Sequence, residues 1–335
     1  MKTITRRRFL AGTAAGAAAV ATGCATTPPR DPIRYRLGLS QPADSPNAIR
    51  LQEMAEKVRT GTNGAMQIDV YPSSKLGSDN AMIDAVRKGE LELYLGGNVF
   101  GPLVPVTEMP GLPFTFRNSA EVFAALDADM GEHIRGEMLA QGMRMFRLGF
   151  DNGFHQLTCR TKPIRNADDL AGLKIRTPFQ KMTVDFFETL GAKPSAYTLN
   201  QLYQVLKEQK VDAQTYPYGI VVLLKLYEVQ TYLSITNHWW SGFTLVANPQ
   251  AWDRLPRDIR EIVDRHADAA ALAQRKDIDA LNAGALEFLR GKGMIVNETD
   301  TSGFRKPLAG FYARWKQVYG DKAWALLEAR VGKLV

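Results

Sequence analysis

Arg176 closes a short run, Leu173-Lys174-Ile175-Arg176-Thr177, and Pro178 turns the chain away directly afterwards. A guanidinium at a strand end presents a planar fork that grips a carboxylate through two parallel charge-assisted bonds. Arg176 is therefore the foremost anion-binding candidate; the plain alternative is an exposed strand-end arginine. His155, in Gly153-Phe154-His155-Gln156, comes second. With an ordinary pKa of ~6.5 it is mostly neutral at pH 7 and brings a hydrogen-bonding ring without a fixed charge. Turned inward, it would instead be a core or seam histidine. Asn98 follows Gly96-Gly97, a pair that lets the backbone approach a ligand closely, and Phe100 adds apolar surface. Tyr216 offers a hydroxyl or a ring face. Trp239 and Trp240 are adjacent, so they cannot both face inward on a strand; Trp239 is expected to line a cleft. Phe179, Tyr197 and Leu199 are weaker cleft candidates.

Other chemistries find no support. Ser40 and Ser45 lack a His/Asp arrangement, and no nucleophile motif or phosphate loop is present. The four histidines and the carboxylates show no metal-ligand spacing. No catalytic residue, cofactor or metal is expected.

The first thirty residues indicate where these side chains work. Thr5-Arg6-Arg7-Arg8-Phe9-Leu10 precedes an almost uncharged run, Ala11 to Thr22, and then Gly23-Cys24. A basic start, a short apolar stretch and a small-residue exit form a bacterial export signal, and the paired arginines suggest the twin-arginine route. Such a run is too short for a membrane span of ~20 apolar residues. Ala21-Thr22-Gly23-Cys24 resembles a lipobox, which makes Cys24 a lipidation candidate. The expected organisation is an export signal over 1–23 and a tether over 24–30, leaving a domain in the periplasm that meets the membrane only through a lipid. Of the formal charge of +7, Lys2, Arg6, Arg7 and Arg8 belong to the signal, which leaves +3 on the exported part. That mildly basic surface is not a nucleic-acid footprint. With Cys24 lipidated, Cys159 has no intrachain partner and no disulfide staples the fold. A chain with 45% hydrophobic residues can bury a large core, and its length favours two domains.

The elements that must position the candidates follow from periodicity. Tyr35–Ser40, Met66–Val70 and Leu91–Leu95 alternate as strands. Ala48 to Val58 and Asp79 to Lys88 recur at helical spacing. Strand–helix–strand–helix–strand predicts parallel strands with crossover helices. Their ligand crevice should lie beyond the C-terminal strand ends, near Ser40 and Gly96–Asn98. Further on, Met143–Phe150, Phe154–Thr161, Leu173–Thr177, Val211–Gln214 and Phe243–Ala247 read as strands. Gln180–Leu190 and Asn200–Lys210 read as helices. Pro256 opens a helical pattern through Leu289, roughly 50 Å long and able to brace two lobes.

Several segments then fall into a familiar order. Tyr71-Pro72-Ser73-Ser74-Lys75-Leu76-Gly77, Met109-Pro110-Gly111-Leu112-Pro113-Phe114, Gly153 to Thr158, Lys162-Pro163-Ile164, Asp169 to Arg176, Thr236-Asn237-His238 and Leu255-Pro256 run in register over more than half the chain. Together they resemble the solute-binding proteins of tripartite ATP-independent periplasmic (TRAP) transporters. The resemblance implies an α/β, type II-like periplasmic binding protein fold with two lobes, mixed and mostly parallel sheets and a long bracing helix. It places lobe I at 31–152 and 242–281, and lobe II at 153–241 and 282–335. It implies a receptor that binds a small organic acid and delivers it to a membrane permease without transforming it. An exported enzyme using His155 as base, or a sensor for a membrane kinase, are the alternatives.

Against the family pattern, His155 stands where an arginine is frequent. Thr215 and Tyr216 replace an acidic residue and a tryptophan that help hold a metal in some 2-oxo-acid-binding relatives. A hard cation wants several oxygen ligands, usually including carboxylates. The expected ligand is therefore a monocarboxylate with an apolar or aromatic body, bound without metal by lobe closure.

Overall fold

The structure is a computed structural model that describes residues 31–334; the expected export signal and tether, with Cys24, lie outside the described residues. Strand β1 (Ile33–Leu39) buries Tyr35, Leu37 and Leu39 while Arg34 and Arg36 stay exposed. It pairs in parallel with β2 (Met66–Tyr71) on one side and β3 (Leu93–Gly96) on the other. The helix between β1 and β2, Pro46–Gly61, begins where Ser45 Oγ accepts the Ala48 N–H and a proline opens the first turn. It buries Ala48, Leu51, Met54, Ala55 and Val58. The helix between β2 and β3 spans Asp79–Lys88 and stops at Gly89, whose φ of 76° supplies the left-handed cap. The three strands and two helices follow the sequence expectation.

The remaining strands are β4 (Arg144–Met145), β5 (Phe150–Phe154), β6 (Gln156–Cys159), β7 (Lys174–Thr177), β8 (Lys193–Ala196), β9 (Ala213–Tyr216), β10 (Tyr232–Ile235), β11 (Trp240–Ala247) and β12 (Ile295–Glu298). They complete two mixed sheets. One has the order β2-β1-β3-β11-β4, with β5 also on β11; the other runs β12-β10-β6-β9-β7-β8. The chain passes from the first sheet to the second at His155, between β5 and β6. It returns over Thr236–Trp239, between β10 and β11.

The long helix, Arg257–Gly291, is the third connection. On the first-sheet side Gln274 accepts the Asp151 N–H at 2.8 Å and donates to its carbonyl at 2.7 Å. Toward the second sheet Asn282 Oδ1 accepts the Gly219 N–H at 3.2 Å. Gly153 lies between these two anchors at φ +103°, a conformation suited to glycine. Beyond β12, the helices Leu308–Tyr319 and Asp321–Val331 reach back toward earlier elements. Tyr312 donates to the Pro113 carbonyl at 2.6 Å, and Arg330 pairs with Asp129 at 2.6 Å.

Several boundaries differ from the sequence reading. Met143–Phe150 is not one strand: β4 ends at Met145, and β5 starts at Phe150 and pairs with a different stretch of β11. Phe154–Thr161 is likewise interrupted, because the His155 N–H turns to the Trp239 carbonyl at 2.8 Å as the chain leaves one sheet for the other. Strand β11 begins at Trp240, three residues before the expected Phe243.

Candidate functional site

The C-terminal ends of β3 and β7, from different sheets, face each other. Gln180, just beyond β7, donates its side-chain amide to the main-chain carbonyl of Asn98, just beyond β3. These are the strand ends at which parallel topology leads one to expect a ligand crevice.

Arg176 lies on this edge of β7 and is only 1% exposed. Parallel pairing sets it opposite Ser195 of β8 and Gln214 of β9. Its Nε and Nη2 both donate to the Tyr197 carbonyl, at 3.0 and 2.6 Å. Nη1 is buried and has no partner among the described residues. A buried donor left unpaired is costly, so this free edge marks a place for an acceptor. The guanidinium carbon lies 5.1 Å from the centre of the Tyr216 ring, a cation–π contact.

Behind Tyr216 stands His155, with ring centres 5.4 Å apart. Its Nδ1 lies 2.9 Å from Thr215 Oγ1 and its Nε2 2.8 Å from Ser241 Oγ. Thr215 Oγ1 also lies 2.9 Å from His238 Nε2, and His238 Nδ1 is 2.7 Å from Thr236 Oγ1. Asn152 Nδ2 donates to Ser241 Oγ at 2.9 Å, and Thr236 Oγ1 donates to the His155 carbonyl at 3.5 Å. One proton arrangement satisfies the whole chain. Asn152 donates to Ser241, Ser241 to His155 Nε2, His155 Nδ1–H to Thr215, Thr215 to His238 Nε2, His238 Nδ1–H to Thr236, and Thr236 to the carbonyl. The tautomers are assigned from this network. Both rings are neutral in it. Burial pushes His155 well below its ordinary pKa, helped by His238 and Arg176, and burial lowers His238 to about 3. Both His155 nitrogens are engaged, so its ring offers a ligand no free donor or acceptor.

Trp239 packs against His155 at 5.1 Å, Phe186 at 5.3 Å, Phe187 at 5.6 Å and His238 at 4.2 Å between ring centres. Trp240 points elsewhere, donating from Nε1 to Asp151 at 2.7 Å and meeting the Phe123 ring edge-on. Both indoles are buried. Asn98 is half-buried, and Phe100 lies fully buried beneath the same loop. A Cβ on Gly96 would meet Phe100 at 2.7 Å and Tyr94 at 2.6 Å. The structure thus brings Arg176, Tyr216, His155 and Trp239 together, sets Asn98 opposite them through Gln180, and keeps Phe100 in the core under the loop. Among the weaker candidates, Tyr197 contributes its carbonyl, while the Phe179 side chain is 65% exposed. Gln180, Ser241, Asn152 and the Tyr197 carbonyl were not singled out for these contacts. Isolated polar residues and a main-chain oxygen carry no sequence signal. No group of three or more His, Cys, Asp or Glu among the described residues could hold a metal ion.

Two α/β sheets linked by crossing strands and a long helix, with a buried guanidinium at their junction, define a periplasmic solute-binding protein. Residues 37–318 match bacterial extracellular solute-binding protein family 7, and the chain belongs to that family. Its members bind solutes and are not enzymes. A TRAP periplasmic solute-binding protein from Polaromonas sp. JS666, bound to D-erythronate, is 30% identical with a TM-score of 0.82, over 89% of this chain and 98% of that one. The 2,3-diketo-L-gulonate-binding periplasmic protein of Escherichia coli is 28% identical over 82% of this chain and 84% of its own length. The C4-dicarboxylate-binding periplasmic protein of Rhodobacter capsulatus is 28% identical over 93% and 91%. An uncharacterized Sinorhizobium fredii protein is 32% identical over 91% of this chain, which spans 57% of that protein's length.

Proposed function

We propose that this TRAP solute receptor captures a small monocarboxylate between its sheets and that Arg176 holds the carboxylate. The observation that carries the reading is the buried Arg176 Nη1 with no partner among the described residues, beside the Tyr216 ring at the junction of β3 and β7. Arg176 supplies a fixed charge, and the neutral His155 and His238 behind it add none. One fixed charge favours one carboxylate. Tyr216 packs against the ligand, Asn98 hydrogen-bonds it from the opposite loop, and His155 and Trp239 support the ring from behind.

The ligand's body is the finer question. Tyr216 offers one ring face, but Trp239 is packed among His155, Phe186, Phe187 and His238. Two of the relatives bind D-erythronate and 2,3-diketo-L-gulonate, single acids with oxygen-rich bodies, while the Rhodobacter capsulatus relative binds C4-dicarboxylates, so the choice of a single acid rests on the one fixed charge of Arg176. A hydroxylated monocarboxylate is therefore the better-supported ligand. An acid with an apolar or aromatic body is the second reading, favoured by the Tyr216 ring. Thermal-shift screening of D-erythronate, 2,3-diketo-L-gulonate, aromatic monocarboxylates and succinate separates them. Oxygenated monocarboxylates should give the largest shifts, and a preference for succinate would overturn the single-charge reading.

The same proposal has lobe I (31–152, 242–281) hinge against lobe II (153–241, 282–335), with closure that needs no metal. Ligand should shrink the radius of gyration by scattering, and chelator should leave that unchanged. Thr5–Leu10 and Ala21–Cys24 support twin-arginine export and a lipid on Cys24. If that holds, Cys24→Ser releases the protein from the membrane fraction.

A further inference from the structure

Gln180 is 7% exposed and immediately precedes the helix Lys181–Thr189, just beyond β7. Thr183 Oγ1 donates to its Oε1 at 3.1 Å. The Asn98 main-chain carbonyl can only accept, so the amide end that faces it is Nε2, and the Thr183 hydroxyl holds the other end in place. The Nε2 end therefore points across the junction, where it donates to the Asn98 main-chain carbonyl at the end of β3. The two residues are 82 positions apart and belong to different sheets. Three segments converge here, because a Cβ on Gly111 would lie 3.8 Å from both Asn98 Nδ2 and Met182 Cε. The bond uses the main-chain oxygen of Asn98, so it leaves the Asn98 side-chain amide available to a ligand.

We propose that Gln180 is a latch for ligand capture: a positioning residue that ties the β7 edge to the β3 loop, set in orientation by Thr183, and that holds the two sheets together around the crevice. It does this through a bond that contains no ligand atom. The inference rests on the reading that the ligand is held between the sheets, yet it has its own consequence for the ligand-free protein. A two-state hinge responds to any contact made in one state only. The latch therefore gives the ligand-free receptor a closed population, which a ligand then enlarges. Part of the closed-state stability is in this way independent of ligand chemistry.

The test uses the full mature chain, stripped of ligand by denaturation and refolding. Spin labels sit at Lys57→Cys and Lys207→Cys, exposed positions on helices beside the first and second sheets, in a Cys24→Ser background with Cys159 buried. Electron–electron double resonance reads the distance distribution. Gln180→Glu keeps the length and removes the donor. Thr183→Val keeps the shape and removes only the orienting bond. The unsubstituted chain should show a short-distance component. The closed-to-open ratio should fall roughly two- to tenfold in Gln180→Glu, the range expected for one hydrogen bond, and less in Thr183→Val, with the melting temperature nearly unchanged. A distribution without the short component, or one retained in Gln180→Glu, overturns the latch. Failure of every acid in the thermal-shift panel would overturn the ligand reading instead, and leaves this measurement standing.

Discussion

The Arg176 guanidinium gives two of its donors to one main-chain oxygen, the Tyr197 carbonyl, at 3.0 and 2.6 Å. The Nε/Nη2 side of the fork is closed by the protein itself, and the Nη1 edge is left for something else. Tyr197 follows β8, whose register sets Arg176 opposite Ser195, and the Thr198 capping box with Gln201 fixes the next turn. Arg176 is therefore held rigidly before any ligand arrives, which lowers the ordering cost of binding.

Arg176→Ala should cost ~3–5 kcal/mol of binding, the usual effect of removing one member of a buried ion pair. For the acid identified by screening, isothermal calorimetry should show affinity reduced by at least a hundredfold. Arg176→Lys should also bind poorly, because an ammonium cannot donate to Tyr197 and to a carboxylate along two edges of a plane. An affinity within about threefold of the parent in Arg176→Ala would remove Arg176 from the site.

The parts of the fold legible in the sequence were those with local periodicity. Tyr35, Leu37 and Leu39 alternate, and Ile259 and Val263 open the apolar stripe of the long helix. Strand β8 was not legible because Lys193-Pro194-Ser195-Ala196 has turn composition; it is tolerated as a strand at the sheet edge, where a proline can sit. Strand β12, at the other edge, is half-exposed and gives no clean alternation. At the site, Arg176 was readable from its position at a strand end. The partners of His155 were not, since Thr215 and Ser241 lie 60 and 86 residues away. Those contacts exist only once both sheets have formed.

The buried histidines make acid a stress on this fold. His238 has its pKa lowered to about 3 by burial, and the unfolded value is ~6.5. A depressed histidine is neutral when folded and takes up a proton on unfolding. Stability is therefore fully present above pH ~6.5 and drains away as pH falls toward 3. The slope is ~1.4 kcal/mol per pH unit for one proton. Denaturant unfolding of His238→Gln, followed between pH 6 and 4, should show a pH slope shallower than the parent's by about that amount. Equal slopes would mean that the ring is protonated in the fold.

Glu108 works in the opposite sense. It is 3% exposed, sits in the turn Pro105–Gly111 and lies directly against Gly101. Burial raises its pKa to about 7. Its stabilising contribution is full below the ordinary glutamate value of 4.5 and is lost as pH rises through about 7. Glu108→Gln keeps the neutral shape and cannot ionise. It should match the parent near pH 4.5 and exceed it by up to ~3 kcal/mol at pH 8, because every pH step between the unfolded and folded values is worth ~1.4 kcal/mol. Melting temperatures across that range check the claim, and no gain at pH 8 would refute it.

Gln274 is the anchor of the long helix on the crossing strand. Its side chain is fully buried and accepts the Asp151 N–H while donating to the Asp151 carbonyl. In effect the amide takes the place of a neighbouring strand for one residue of β5. Gln274→Met has nearly the same shape and length but leaves both main-chain groups unpaired. An unmet buried polar group costs ~1–3 kcal/mol, so the pair should cost ~2–6 kcal/mol. Denaturant unfolding should show this as a lowered midpoint with an unchanged m-value, since the surface exposed on unfolding is the same. The site itself should survive, because Arg176 and Tyr216 are held by the second sheet and not by this helix position. A loss below about 1 kcal/mol would mean that water replaces the amide, and that the brace rests on Asn282 and the Arg50–Asp277 ion pair instead.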